Sequence, residues 1–254
     1  AQGAGVVTDL ETEGFAVFDP DKATLTWAAA ALEVAKNLAA DLDIQNANLR
    51  HGKTWFVGVD VLPNASDGAI EGVPLKGPWQ DHIEPPAQWH RAQVSIVYPG
   101  YPKQDVDERE SNHRYRITRF AAHVDGLLPM GPDRRRFMQE PHGFILGLPL
   151  NQSDAAPLMV WPGSHKIMGQ AFRAEIGKRD PKTVDITDAY HAARRAVFDS
   201  ITPTPVRAAP GQSILLHRHL LHGVGPWGSQ DIAPPEGRMI AYFRPEIAPV
   251  DWLS

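Results

Sequence analysis

Two short stretches of this chain carry side chains that could bind one metal ion together. The first is His123-Val124-Asp125, which offers an imidazole and a carboxylate two residues apart. In an extended strand alternate side chains point the same way, so both groups would share one face. A third ligand from another strand would complete a two-histidine, one-carboxylate set and leave the opposite side of the ion open. The tripeptide alone is a weak signal, because the chain contains 11 histidines.

The second stretch contains three histidines that could supply the third ligand. They are His217, His219 and His222, and from the residues alone the choice between them is open.

The segment that precedes the tripeptide is expected to extend its strand. Residues 115–120 read Tyr-Arg-Ile-Thr-Arg-Phe, and this β-branched and aromatic content is typical of a strand. Tyr115 and Arg119 would then lie on the same face as His123 and point into the same cavity. We therefore expect them to contact a co-substrate or a substrate.

Composition excludes several classes of function. The chain has 254 residues, a formal net charge of −5 and a pI near 6.1, so it lacks the basic surface of a typical nucleic-acid-binding domain. It has no cysteine, which excludes disulfides, thiolate metal sites and a cysteine nucleophile. No apolar run of about 18 residues predicts a membrane helix. Residues 1–5 lack the features of a signal peptide, so we expect a cytoplasmic protein.

The helices predicted from the sequence flank a chain that is otherwise rich in strands. The clearest helix covers residues 24–42 and could be capped by Thr24. Further helices are predicted at 164–176 and at 187–198, the latter capped by Thr187 or Asp188.

The predicted strands are short and separated by turn residues. Two apolar runs, 144–150 and 158–161, predict a buried antiparallel pair. The other predicted strands cover residues 14–18, 53–62, 92–98, 206–208, 213–217 and 238–243. Such a pattern favours a mostly β fold with flanking helices in a single domain, residues 1–254. A jelly roll with a core of about 90–245 is the natural candidate, because its cavity mouth collects ligands from distant strands.

Four motifs follow one another in the C-terminal half of the chain. They are His123-Val124-Asp125, the run Val-Trp-Pro-Gly-Ser-His-Lys at 160–166, the run Leu-Leu-His-Gly-Val-Gly-Pro at 220–226, and Arg238 at the start of an apolar strand. In this order the chain resembles the phytanoyl-CoA dioxygenase-like family of Fe(II)/2-oxoglutarate-dependent oxygenases. The resemblance covers roughly residues 14–245, and its specific motifs lie within 123–238.

The resemblance implies a fold, a metal site and a reaction. The fold would be a double-stranded β-helix, the jelly-roll core of cupin-like proteins. The metal would be Fe(II), bound by His123, Asp125 and His222. Arg238 would bind the distal carboxylate of the co-substrate 2-oxoglutarate, to which a guanidinium can donate two parallel hydrogen bonds. The reaction would be the hydroxylation of a small organic substrate by O2, with release of succinate and CO2. Related halogenases lack the carboxylate ligand, so Asp125 argues against halogenation.

The chain departs from the family pattern after the third ligand. Trp227 stands where the family has asparagine, and residues 229–236 lengthen the connection to Arg238. Arg244 lies an even number of residues further on and is therefore the reserve candidate for binding 2-oxoglutarate. Residues 161–165 belong to the family's turn motif and are expected to shape a tight turn rather than to take part in catalysis.

Two other classes of function use the same ligands. A non-catalytic jelly-roll protein could hold a metal for binding or sensing, and a zinc hydrolase could use a His/Asp/His set. The arginine after the distal histidine favours the oxygenase, because a hydrolase does not need it there. The only basic run, residues 134–136, is expected to be a solvated loop or an ion-pair cluster. An acyl-CoA thioester is therefore not the first choice of substrate, and the sequence does not predict an oligomeric state.

Overall fold

A computed structural model describes residues 9–231 and 234–254. Residues 1–5, in which the sequence predicts no signal peptide, lie outside this range, as do two residues of the long connection before Arg238. Within the described residues, no helix is both long and apolar enough to cross a membrane.

The described chain forms antiparallel sheets with flanking helices, as the sequence predicts. The strands are β1 (Phe15–Phe18), β2 (Leu49–Arg50), β3 (Trp55–Phe56), β4 (Gln93–Val97), β5 (Leu127–Met130), β6 (Arg135–Met138), β7 (Phe144–Pro149), β8 (Leu158–Val160), β9 (Thr204–Val206), β10 (Ser213–His217), β11 (His222–Val224) and β12 (Arg238–Phe243). The helices are α1 (Leu10–Glu13), α2 (Lys22–Ala40), α3 (Leu42–Asn48), α4 (Glu110–Arg119), α5 (Ser164–Ile176) and α6 (Thr187–Ser200). Single 3-10 turns lie at Pro78–His82, Pro181–Thr183 and Pro249–Leu253.

The strands form two main sheets and a hairpin. Seven strands pair in the order β1-β10-β7-β12-β4-β3-β2, and three pair in the order β11-β8-β9. Strands β5 and β6 form the separate hairpin. All these ladders are antiparallel.

The large sheet is buried on both faces, and alternate residues of each strand serve different cores. Leu146 lies in register with Phe243, and both pack in the core that contains α2. In that core the rings of Phe243 and Trp27 have centroids 5.8 Å apart. Ile145 turns to the other face and packs with Leu158 of the three-stranded sheet. The two sheets therefore stack face to face, because residues of β7 and β10 pack with Leu158 and Val160 of β8 on one face while their neighbours pack against α2 on the other.

One predicted strand is a helix. Residues 115–120 belong almost entirely to α4, so the strand prediction before His123 was wrong. The β-branched pair Ile117 and Thr118 suggested a strand, but Ile117 is 43% exposed and Thr118 bonds to a carbonyl one turn earlier. A Glu110–Arg114 ion pair at 2.6 Å, also one turn apart, supports the helix.

Two further predictions were partly wrong: one strand is much shorter than predicted, and two strands that form do not pair with each other. Within residues 53–62 only β3 joins the sheet, since Gly58 and Asp60 take left-handed φ angles of 51° and 55°. The expected pair 144–150 and 158–161 does not form: β7 lies between β10 and β12, whereas β8 lies between β11 and β9.

Helix α5 matches the predicted range, and α2 and α6 match theirs within two residues, but their caps differ. Asp21, not Thr24, caps α2, because its carboxylate accepts hydrogen bonds from two backbone N–H groups of the first turn. Neither Thr187 nor Asp188 caps α6, which begins without a side-chain cap. Instead the carboxylate of Asp185 accepts from the Thr187 N–H at 3.0 Å.

Candidate metal centre

The backbone brings His123 and His222 together although they are far apart in sequence. The His123 N–H donates to the His222 carbonyl at 2.9 Å, and the His222 N–H donates to the His123 carbonyl at 3.1 Å. This isolated antiparallel bridge joins the segment after α4 to the first residue of β11. The two imidazoles therefore lie side by side, with ring centroids 4.7 Å apart.

Asp125 completes a cluster in which three ligand atoms converge. Its Oδ1 lies 2.9 Å from Nε2 of His123 and 3.6 Å from Nε2 of His222. Two ligands that each lie about 2.1 Å from one ion cannot be more than about 4.2 Å apart, and both distances meet this limit. Among the described histidines and acids, these three form the single group able to hold a metal ion, with ligand atoms all within 4.8 Å of one another.

The other ring nitrogen of each histidine is held by the backbone. Nδ1 of His123 lies 2.9 Å from the Ala121 carbonyl, and Nδ1 of His222 lies 2.9 Å from the Leu220 carbonyl. Because a carbonyl oxygen only accepts, each Nδ1 carries the proton, and each Nε2 is left to bind a metal. Both rings are thus oriented by the carbonyl two residues earlier.

Arg244 holds the second oxygen of the aspartate. Its Nε donates to Oδ2 of Asp125 at 2.5 Å, and its Nη1 donates to the Gln93 side chain. Burial alone would raise the pKa of the Asp125 carboxyl, but the Arg244 guanidinium and the neighbouring imidazoles outweigh burial and hold the pKa well below its usual range. Asp125 is therefore a carboxylate with one oxygen, Oδ1, directed at the histidines.

Asp125 favours the protonated form of His123, whose Nε2 lies 2.9 Å from Oδ1 of Asp125. Burial lowers the pKa of His123, but the hydrogen bond and the charge of Asp125 more than offset this effect, so the pKa is raised. His123 and Asp125 would both hold the metal ion, and protons would compete with the metal for these two groups.

The chain passes through tight contacts on both sides of the histidine bridge. Phe120 and Ala121 take left-handed φ angles of 58° and 52°, which turn the backbone from α4 toward His123. Gly223 lies against this turn, and a Cβ added there would meet the Phe120 carbonyl oxygen at 2.1 Å. The glycine after the distal histidine is therefore required by the close approach of two backbones.

The turn motif at residues 161–165 supports the segment that carries His222. The Trp161 N–H donates to the Leu221 carbonyl at 3.1 Å, and the Leu221 N–H donates to the Ser164 Oγ at 2.9 Å. Gly163, which lies between Trp161 and Ser164 in sequence, takes a left-handed φ of 81°. The motif shapes a tight turn, in keeping with the sequence analysis, and it also positions the residue next to a ligand.

The triad lies in the wall of a cavity of about 830 Å³. This volume is ample for a small organic molecule. Aromatic and aliphatic side chains make up much of the wall, among them Trp55, Tyr101, Leu128, Ile145, Leu158, Leu216 and Tyr242.

The arginines singled out from the sequence have three different environments. Arg244 lines the cavity and binds Asp125. Arg238 is 4% exposed and lines a small neighbouring hollow that shares Leu158 with the cavity. None of its three guanidinium nitrogens has a hydrogen-bond partner in the described structure. Arg119 does not line the cavity, and its guanidinium lies 4.6 Å from the Phe198 ring centroid.

Tyr115 lines the cavity, although from a helix rather than a strand. Its hydroxyl donates to the Ala122 carbonyl at 2.7 Å, beside His123. His217 and His219, the competing candidates for the third ligand, lie away from the cavity in a separate cluster with His165.

Sequence reasoning missed several polar residues of the cavity wall, among them Gln93, Arg136 and Arg194. Gln93 lies within a predicted strand and Arg136 within the basic run, but no local pattern marked either one. The sequence did contain a signal for Arg194. It follows Tyr190 by one turn of a predicted helix, so the two side chains are expected to lie on the same helix face.

No protein-family model and no curated protein matches the chain. Among solved structures, the non-heme alpha ketoglutarate dependent carbocyclase SnoK from nogalamycin biosynthesis is 12% identical, with a TM-score of 0.45 over 92% of this chain and 81% of SnoK. EctD from S. alaskensis in its apoform is 17% identical, with a TM-score of 0.45 over 92% of this chain and 73% of EctD. EctD with 2-oxoglutarate and 5-hydroxyectoine gives 17% identity and a TM-score of 0.44, over 92% of this chain and 72% of that one. Because these identities and TM-scores are low, the assignment of the metal centre rests on the geometry of its residues alone.

Proposed function

We propose that this protein is an Fe(II)/2-oxoglutarate-dependent oxygenase that hydroxylates a small organic substrate. The observation that carries the proposal is the convergence of Nε2 of His123, Oδ1 of Asp125 and Nε2 of His222 in the wall of a large cavity. Three protein ligands on one side of an ion leave the other positions free for a chelating co-substrate and O2. The motif order supports assignment to the phytanoyl-CoA dioxygenase-like family, with a jelly-roll core in one domain.

The donor set fits ferrous iron. Two neutral imidazoles and one carboxylate are the ligands of non-heme Fe(II) oxygenases, and they leave about one positive charge on the ion. That charge suits 2-oxoglutarate, a dianion at neutral pH. The fixed Nδ1 protons and the Arg244 contact orient the ligands before the metal binds.

Arg238 fits the distal carboxylate of 2-oxoglutarate. A guanidinium that is 4% exposed and has no partner at any nitrogen is unfavourable unless an anion pairs with it. Its hollow and the cavity of the triad share one lining residue, Leu158. Arg244 is less suited to this role, because Asp125 and Gln93 already occupy it.

The protein's own residues would bind and orient the metal, the co-substrate and the substrate, and they would exclude water. Bound together, iron and 2-oxoglutarate supply the chemistry that reduces O2 and transfers one oxygen atom to the substrate, with release of succinate and CO2. Arg244 keeps Asp125 ionised, so that Oδ1 remains a ligand. The aromatic and aliphatic wall of the cavity limits the access of water to the reacting centre.

Two measurements test this function. Anaerobic addition of Fe(II) and 2-oxoglutarate should produce the charge-transfer absorbance of the chelate, and Asp125→Ala should abolish it. In air, the loaded protein should release succinate slowly even without substrate. The chelate band without succinate would favour a non-catalytic metal-binding protein. Tight Zn(II) binding without any chelate band would favour the hydrolase.

A matched pair of variants tests the role of Arg238. Arg238→Met should weaken the binding of 2-oxoglutarate by roughly 10–100-fold, the loss expected for a charge-assisted hydrogen-bonded pair. Fe(II) affinity should stay unchanged, because Arg238 does not contact the triad. Arg195→Gln, an exposed arginine of α6, is the control and should bind 2-oxoglutarate normally. Unchanged binding in Arg238→Met would assign the distal carboxylate to another residue.

A further inference from the structure

We infer that Arg136 and Arg194 form an anion-binding subsite beside the triad, and that the substrate carries a carboxylate, phosphate or sulfate group on an apolar body. The inference rests on the proposed function and deepens it by naming the substrate class. Both arginines line the same cavity of about 830 Å³ as His123, Asp125 and His222.

Each arginine contacts a group that lies close to a metal ligand. Nη1 of Arg136 donates at 3.0 Å to the carbonyl of Leu127, two residues after Asp125. The Arg194 guanidinium carbon lies 4.9 Å from the ring centroid of Tyr115, whose hydroxyl binds the carbonyl of Ala122, the residue before His123. An anion held between the two arginines would therefore place the rest of a small molecule near the triad.

The charges of both arginines are uncompensated. Among the described residues, neither has a carboxylate within ion-pair distance. Two acids at the start of the α6 segment, Asp185 and Asp188, bind Arg135 instead, at 2.6 and 3.0 Å. Burial lowers the pKa of the Arg136 guanidinium, and the positive charges of Arg134 and Arg194 lower it further. An anion between them would relieve this repulsion.

The other charged groups of the cavity are mostly paired. Arg116 binds Glu108 at 3.0 Å and Arg244 binds Asp125 at 2.5 Å. Glu140 lies 3.3 Å from His142, and Asp60 lies 3.3 Å from His90. Glu246 also lines the cavity, but it is exposed. It lies in the segment after Arg244 and not on α6 or β6, the elements that carry Arg194 and Arg136. Arg136 and Arg194 are thus the two cavity cations without an acidic partner among the described residues.

Arg194 is held in place by aromatic rings that leave its hydrogen-bond donors free. Its guanidinium carbon lies 4.9 Å from the Tyr115 centroid and 5.0 Å from the Tyr190 centroid. Stacking on a ring uses the face of the guanidinium, whereas the N–H donors project from its edge. The edge can therefore donate to a carboxylate or a phosphate, for which the planar fork is well suited.

Binding to the protein without added iron or 2-oxoglutarate tests the subsite independently of catalysis. The probes are 3-phenylpropionate, its uncharged analogue 3-phenylpropionamide, and phenyl phosphate, each titrated by calorimetry. Both anions should bind at least about tenfold more tightly than the amide, since a charge-assisted pair is worth at least a factor of ten. The tighter of the two anions indicates whether a carboxylate or a phosphate is the better fit.

The variants separate the subsite from other cationic positions. Arg136→Gln and Arg194→Gln should each reduce anion binding to the level of the amide, whereas Arg194→Lys, which keeps a cation over the tyrosines, should retain part of the preference. Arg195→Gln, next in sequence and exposed, should behave as wild type. Thermal unfolding checks that each variant is folded. Equal binding of acid and amide to the wild type, or an unchanged preference in both Gln variants, would overturn the inference even if the chelate band forms.

Discussion

The two histidines and the aspartate are each held through the atom that does not face the metal position. Nδ1 of His123 and of His222 bonds to a backbone carbonyl, and Oδ2 of Asp125 bonds to Arg244. Such outer contacts orient ligands and tune their basicity. Arg244, the reserve candidate for binding 2-oxoglutarate, is on this structure a support for the carboxylate ligand.

Removing the Arg244 charge should weaken metal binding. In Arg244→Met, we expect the Asp125 pKa to rise toward its ordinary value and the affinity for Fe(II) to fall by about 10–100-fold. Protons compete with the metal for a carboxylate of higher pKa, so the loss should be greater at pH 5.5 than at pH 7.5. Anaerobic titration with Fe(II) at both pH values measures this, and Arg195→Gln is the control. Equal affinities for variant and wild type would show that Arg244 does not support the ligand.

The choice of the distal histidine can be tested directly. His222→Ala should abolish stoichiometric Fe(II) binding, because it removes one of three converging ligand atoms. His217→Asn should bind Fe(II) normally, since His217 lies outside the cavity and its Nδ1 accepts from the His219 N–H, a role that the asparagine oxygen can fill. Loss of metal in His217→Asn with retention in His222→Ala would contradict the assignment.

Three segments must meet to build the metal centre: the turn after α4, strand β11 and the turn before α5. Left-handed residues Phe120 and Ala121 redirect the chain, and Gly223 lets it pass against β11. Backbone hydrogen bonds then join the histidines in both directions. Non-glycine residues in the left-handed region are uncommon, and here they lie directly before a ligand.

A side chain at Gly223 should separate these segments. In Gly223→Ala the new Cβ would lie 2.1 Å from the Phe120 carbonyl oxygen, so one backbone must move. We expect the free energy of unfolding to fall by about 1–3 kcal/mol and Fe(II) affinity to fall with it. Gly225→Ala is the matched control, because its closest contact would be 3.2 Å. Urea unfolding and Fe(II) titration of both variants measure the effect, and equal behaviour of the two would refute the role of the close approach.

At the level of the molecule, a cluster of three histidines joins the two ends of the described chain. His165 lies 3.0 Å from the Glu11 carbonyl, and its ring is 4.9 Å from that of His217. His219 packs on Trp252 of the last 3-10 turn with ring centroids 4.5 Å apart. Burial, together with the charges of His165 and nearby arginines, lowers the pKa of His217 to about 3.

This cluster should make stability fall in acid. A neutral buried histidine contributes fully above the unfolded pKa of about 6.5, and its contribution is lost as the pH falls from there toward the folded pKa. Between pH 7 and pH 5 we expect His217 alone to account for a loss of about 2 kcal/mol. His217→Asn should therefore flatten the pH dependence of the unfolding free energy, measured with urea on metal-free protein. Parallel curves for variant and wild type would contradict this origin, since the metal ligands titrate equally in both.

Several features of this protein are determined locally and could be predicted from the sequence. Alternating and continuous apolar runs predicted β4, β10 and β12, because burial on the faces of a sheet imposes that pattern on neighbouring residues. Helix α5 was also predicted over its full range. His123 and Asp125 were candidate metal ligands from the sequence, although the tripeptide alone is a weak signal, and the structure brings their ligand atoms together with that of His222.

Other features depend on contacts between distant residues, which no local pattern contains. Apolar character made β7 and β8 strands, but only packing of the two sheets decided that they do not pair with each other. Residues 115–119 belong to α4, which begins at Glu110 and is supported by polar contacts one turn apart, so their strand propensity does not decide their structure. The choice of His222, the pairing of Arg244 with Asp125 and the lack of acidic partners at Arg136 and Arg194 were likewise decided by the tertiary structure. Each of these features depends on which charges and rings are in contact, and residues far apart in sequence come into contact only when the chain folds.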